Sequence, residues 1–247
     1  MHKLLILIFA LAIFSSCKKE EAKPENPTGT VSINFNHYAG NDSLVMDNKY
    51  YENAAGNQYR VSFLKYFVSG LALYKNGTRI WHTQAPPISI NAKYTEYCIA
   101  EFQKVSVGEY DSLSIAFGIV PEYNYHGSFE MDYNDYNMYW PENMGGGYHF
   151  MKFEGHWKDG ADFGTFAFHI GANENLISLG FKIPVSIALQ QTTSFIITMN
   201  TNEWFENPYL YDLTQEDGYT MGDPVQMNNL VQNGQRAFTL RPDNSKK

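Results

Sequence analysis

Period-two alternation of apolar and polar residues recurs along this chain, and it constrains the fold more than any other feature. Only an extended backbone sends successive side chains to opposite faces. Val31-Ser32-Ile33-Asn34-Phe35-Asn36 alternates in this way, as do Ser112 to Ile119, Tyr148 to Phe153, Phe163 to Ile170 and Ser194 to Asn200. Leu71-Ala72-Leu73-Tyr74 runs into Lys75-Asn76-Gly77-Thr78, and Arg79-Ile80-Trp81 follows. An Asn-Gly pair between two such runs predicts a tight hairpin. Gly40-Asn41-Asp42 predicts a further turn after the first strand. Leu179 to Leu189 is mostly apolar but broken by Pro184, which predicts either two strands or an edge strand with a bulge. Helical signals are few. Apolar residues at 61, 63, 64, 67 and 68 predict one or two helical turns in Val61 to Ser69. Pro224 to Gly234 opens on proline and closes on Asn-Gly, which predicts a short helix. Aromatic residues make up 16% of the chain, which suits cross-strand aromatic pairs. The expected fold is all-β: one antiparallel β-sandwich with one or two short helices, a jelly-roll-like topology being one form open to it.

The chain begins with a different grammar. His2 and Lys3 are basic, Leu4 to Phe14 is an uncharged apolar run, and Ile13-Phe14-Ser15-Ser16-Cys17 has the form of a lipobox. The run is too short for a bilayer, which takes about 20 residues, so it predicts a cleaved signal with lipid on Cys17. An ordinary secretory signal cut nearby is the alternative. Lys18 to Pro27 is charged and proline-bearing, with almost no bulky apolar side chain to bury, and predicts a flexible tether. Its charges directly after the cysteine resemble surface-export signals of Bacteroidetes lipoproteins. The expected organisation is a signal peptide over 1–16, a lipidated tether over 17–29 and a β domain over 30–244. The expected place is the outer membrane, on its periplasmic face or at the cell surface, with the membrane as partner through the lipid.

Several classes of function are disfavoured. A net charge of −8 and a pI near 5.3, without a basic cluster beyond the tether, argue against nucleic acid. The only cysteines are Cys17 and Cys98, so there is no disulfide scaffold. Cys98 reads as a buried, inert core thiol, with a metal-binding thiolate as the alternative. No nucleophile elbow, phosphate loop, HExxH or CxxC occurs, and the expectation is that the protein is not an enzyme. Asp132 and Asp135 lack the glycine and terminal glutamate of a calcium loop.

Two features point to a site. Pro121 to Gly147 is long, rich in tyrosine and acidic residues, contains Trp140 and ends in Gly145-Gly146-Gly147. Loops of that kind inside a β domain carry function more often than filler. The second feature is histidine. His37 and His169 fall at strand ends, where side chains from different strands can converge on one rim, and imidazole is a common ligand of copper and zinc. His149 and His156 read as surface residues. A metal-free alternative takes the aromatic loop 121–147 as a surface for glycan or peptide, with Trp140 in the contact.

Several blocks resemble the MbnP family. They are His37-Tyr38-Ala39-Gly40-Asn41-Asp42-Ser43-Leu44, Tyr59 to Ser69, Gly108 to Leu113 with Phe117-Gly118-Ile119, Met138-Tyr139-Trp140, Gly147 to Gly155 and Phe168-His169-Ile170-Gly171. They run in family order through most of the domain. The resemblance implies extracytoplasmic copper binding. In this family and its relatives MopE and CorA, histidines bind the metal together with a kynurenine made from tryptophan by a di-haem peroxidase of the MauG type. It also implies that His169 is the first ligand candidate, His37 the second, and Trp140 the match to the first family tryptophan. Glu142 stands where the second is expected, which puts kynurenine formation in question more than metal binding. Without it, two imidazoles with water or a carboxylate such as Glu142 would form the weaker site.

Overall fold

The computed structural model describes residues 26–246, so the signal and Cys17 lie outside the described part. Thirteen strands and one α-helix follow in chain order. The first seven strands are β1 (Thr28–Ala39), β2 (Asp42–Ser43), β3 (Tyr51–Glu52), β4 (Gln58–Lys75), β5 (Thr78–His82), β6 (Ile88–Asn91) and β7 (Ile99–Ser106). Then come β8 (Gly108–Phe117), β9 (His149–Asp159), β10 (Asp162–Gly171), β11 (Ile177–Ile187), β12 (Thr192–Asn200), the helix α1 (Pro224–Gly234) and β13 (Phe238–Pro242). They form two sheets. The first runs β13-β12-β1-β2, with β7 also on β1; the second runs β10-β9-β4-β8-β11, with β3, β5 and β6 also on β4. Aromatic side chains fill the space between them, among them Phe35 against Tyr66 and Phe117 against Phe238. Each fully buried Phe there contributes about 1.5–3 kcal/mol.

The all-β sandwich expected from the alternation is present, with one difference. β1 and β12 pair in parallel, Thr30 opposite Thr192 and Tyr38 opposite Asn200. Every other pairing of named strands is antiparallel, so the first sheet is mixed and the topology is not a jelly roll. Parallel partners need a long crossover, which alternation within a strand does not encode. The Asn76-Gly77 hairpin forms between β4 and β5, both residues taking the positive φ (51° and 75°) that such a turn demands. Pro184 sits in the edge strand β11, where the register shifts between Lys182 and Val185; this is the bulged edge strand, not two strands. Helix α1 forms as expected, capped by the Asp223 carboxylate accepting from the Val225 and Gln226 N–H groups. Thr28 and Gly29, read as tether, already belong to β1.

The helical turns expected at Val61 to Ser69 are instead part of β4. The reason is burial on both faces. One face of β4 meets the first sheet; the other lies under the loop 121–147, where Phe67 packs on Phe129 and Tyr148. A strand covered twice loses its polar alternation and reads as a continuous apolar run.

Register fixes which side chains share a face. Tyr66, Met151 and Ile170 lie side by side across β4, β9 and β10, are fully buried and face the first sheet. The neighbouring row of Lys65, Lys152 and His169 therefore faces the other way, toward the loop. The loop folds as short 3-10 turns at 121–123, 133–138 and 142–144. It is held to the sheet by a buried ion pair: Lys65 Nζ lies 2.6 Å from Asp135 Oδ1 and donates to the Asn134 carbonyl, also at 2.6 Å.

Candidate metal centre

The outward face of β9 and β10 gathers two histidines, a tryptophan and a carboxylate. Between Ile170 and Gly171 the register shifts: one step along β10 matches two along β9, from Met151 to His149. A bulge of this kind re-aims the side chain beyond it. Regular pairing would point His149 inward with Met151. The bulge sets it opposite Gly171 and onto the face that carries His169. The two imidazoles meet edge to face, centroids 5.1 Å apart at 89°. Trp140 closes over His149, centroids 4.7 Å apart at 71°. Its indole lies flat on Gly171, where an added Cβ would stand 2.5 Å from Trp140 Cε3.

Each imidazole has one nitrogen engaged. His169 Nε2 lies 2.8 Å from Glu154 Oε1, and His149 Nδ1 lies 3.3 Å from the Met138 carbonyl of the loop. With His149 Nδ1 donating to that carbonyl, the lone pair lies on His149 Nε2, and this atom is buried without a hydrogen-bond partner. Such a nitrogen costs free energy unless something occupies it. Burial, with His169 and then Lys152 adding positive charge, pushes the His149 pKa down to about 4, so its ring is neutral at pH 7. The His169 hydrogen bond, more than Lys152 Nζ at 3.6 Å, holds the Glu154 carboxyl below the usual carboxylate range. A histidine whose far nitrogen is held by a carboxylate or carbonyl is the arrangement metal ligands adopt. A centroid spacing near 5 Å suits two rings sharing one ion at about 2 Å from each nitrogen.

Among the described residues no group of three or more His, Cys, Asp or Glu side chains is placed to hold a metal ion. The geometry accounts for this. Glu154 is taken up by His169 Nε2, and the other ring packed against His149 is Trp140. Two imidazoles are in place, and the next nearest group is an indole whose N–H is already donated to the Met144 carbonyl at 3.0 Å.

His37 does not join this cluster. It points between the sheets, where its Nε2 lies 3.0 Å from the Tyr66 hydroxyl, and burial pushes its pKa down to about 4. Tyr66 and His169 belong to rows on opposite faces of the second sheet, so the expected convergence of His37 and His169 on one rim does not occur. His149, expected at the surface, is 5% exposed. Glu142, weighed as a carboxylate ligand, is exposed and paired with His126 Nδ1 at 2.8 Å, with His126 stacked on Tyr139. Trp140 is only 3% exposed, which removes it from the contact surface of the metal-free alternative. Cys98 is a buried core thiol bonded to the Asn91 and Tyr94 carbonyls, its pKa pushed up to about 11 by burial. One signal for His149 was available in the sequence: a hairpin turning at Asp159–Asp162 sets Lys152 opposite His169, three residues from His149.

Comparison with known proteins bears on the family and the fold. The family model described as MbnP matches residues 28–223. The solved structure of MbnP from Methylosinus trichosporium superposes with a TM-score of 0.56 at 12% identity, covering 87% of this chain and 99% of that one. A likeness at that identity shows a shared fold. No match was found among curated proteins.

Proposed function

The chain belongs to the MbnP family, and from that premise we propose that it binds copper outside the cytoplasm through His149 and His169. Its role is uptake, storage or sequestration of the metal, as a binding protein and not a catalyst. In this reading lipid on Cys17 anchors it to the outer membrane. The observation that carries the proposal is the partnerless Nε2 of a buried, neutral His149 beside His169 and Trp140. The neutral His149 imidazole need lose no proton to bind a metal at pH 7, and the usual affinity order favours Cu(II) among divalent first-row ions. Trp140 is the residue for oxidation to kynurenine by a di-haem peroxidase partner. An indole N–H is only a donor, whereas kynurenine brings an amine and a ketone that accept. His169 remains a ligand; His37 is reassigned to the core and Glu154 to orienting His169.

The test is calorimetric titration of Cu(II) and Cu(I) into the natively expressed full chain in detergent. His149→Ala and His169→Ala should each abolish stoichiometric binding, and His37→Ala should keep it. Binding lost in His37→Ala but kept in the other two would overturn the assignment. No binding by a chain whose intact mass shows Trp140 already oxidised would overturn the copper reading itself.

A further inference from the structure

The same outward face of the second sheet carries a cleft that the copper reading does not use. It measures about 530 Å³ and lies between the turns at 95–97 and 133–138. Sites for small molecules span about 300–1,000 Å³. Its floor includes the buried pair Lys65 and Asp135, with Ser89 Oγ donating to Asp135 Oδ1 at 2.9 Å. These charges neutralise one another at 2.6 Å, so an ionic ligand finds no uncompensated partner there. Hydrogen-bonding capacity remains. Lys65 directs two of its three N–H groups at Asn134 and Asp135, and both protein contacts to Asp135 fall on one oxygen. The other charges on the lining, Lys93 against Glu96 and Asp132, are mixed in sign. One wall is aromatic: Tyr94 and Tyr97 meet edge to face at 6.0 Å, and both are nearly half exposed. Phe63 adds a third ring from the sheet.

Exposed aromatic rings over a floor of fixed donors and acceptors, among charges of mixed sign, suit a ligand with apolar C–H faces and many hydroxyls. We propose that this cleft is a second binding site, for a neutral saccharide. Its C–H groups pack on Tyr94 and Tyr97, and its hydroxyls reach Lys65 and Asp135. None of His149, His169 or Trp140 lines it, so it stands or falls apart from the copper reading.

Saturation-transfer difference NMR on the full chain in deuterated detergent tests this. The probes are maltotriose, cellotriose and diacetylchitobiose at millimolar concentration. Transfer to ring protons of at least one sugar is expected. Tyr97→Ala should weaken it, and Tyr94→Ala/Tyr97→Ala should cut it at least tenfold with the circular dichroism unchanged. Tyr133→Ala, outside the lining, should leave it intact. No transfer to any of the three, or transfer that survives the double variant, would overturn the proposal. So would binding of tetralysine or tetraglutamate in place of the sugars, because the cleft would then be reading charge.

Discussion

Lys65→Met should loosen the loop that carries Trp140, and the structure says by how much. The Lys65 and Asp135 side chains are 3% and 11% exposed, and their charges lie 2.6 Å apart. At an effective dielectric constant of about 20 the attraction is about 6 kcal/mol, and desolvation of the two ions offsets most of it. Deleting one partner is a different matter. The Asp135 carboxylate is left with the Ser89 hydroxyl alone, and an uncompensated buried charge costs about 3–5 kcal/mol. For a chain of this size that lowers Tm by roughly 10 °C. The chain has one escape: the segment 133–138 can lift and return Asp135 to water. The loss is then capped by the free energy of opening the loop, and hydrogen exchange in that segment rises before global unfolding. Lys65→Met/Asp135→Asn should recover much of the stability. Lys93→Met, at an exposed pair 3.7 Å apart, should cost under about 0.5 kcal/mol. The assay is urea denaturation with site-resolved exchange. A Lys65→Met protein within 1 kcal/mol of the parent, with unchanged exchange at 133–138, would refute the reasoning.

Other outcomes follow from the same geometry. His37 and His149 both titrate near 4 in the folded chain against about 6.5 unfolded, so below 6.5 the unfolded state takes up protons that the folded state refuses. Their contribution is complete above pH 6.5 and drains away toward pH 4, on the order of 3 kcal/mol each; a urea midpoint that stays flat between pH 7 and 4.5 would contradict this. Gly171→Ala places a methyl 2.5 Å from Trp140 Cε3 and should cost about 1–3 kcal/mol by displacing the indole, visible as a changed near-UV circular dichroism signal. Glu154→Gln weakens the acceptor that orients His169 and should weaken copper about 10–100-fold in the titration above, while Glu142→Ala leaves affinity unchanged.

Alternation made most strands legible, because a half-buried strand writes its two environments into alternate residues. It failed at β4, where both faces are covered and the record of facing is erased. It was silent on the parallel β1–β12 pair, since nothing in either strand names its partner. For the site, His169 and Trp140 stood out through resemblance. His149 was misplaced because its facing depends on one extra residue of β9 at the bulge, and inward and outward exchange with every such residue. His37 and His169 looked equivalent as strand-end histidines, and only the second sheet between them separates their roles.

The parallel pair has a consequence for the order in which the molecule can assemble. Thr30 is held opposite Thr192, a separation of about 160 residues, and closing loops of that size is slow. The hairpins β4–β5 and β9–β10 join near neighbours and can form as soon as they emerge. β1 can pair early with β2 and then with β7, but its other edge stays unsealed until β12 arrives. The parallel edge of the N-terminal strand is thus sealed late, with β13 added after β12. A chain cut short before Thr192 lacks that seal and leaves one edge of β1 open to its neighbours.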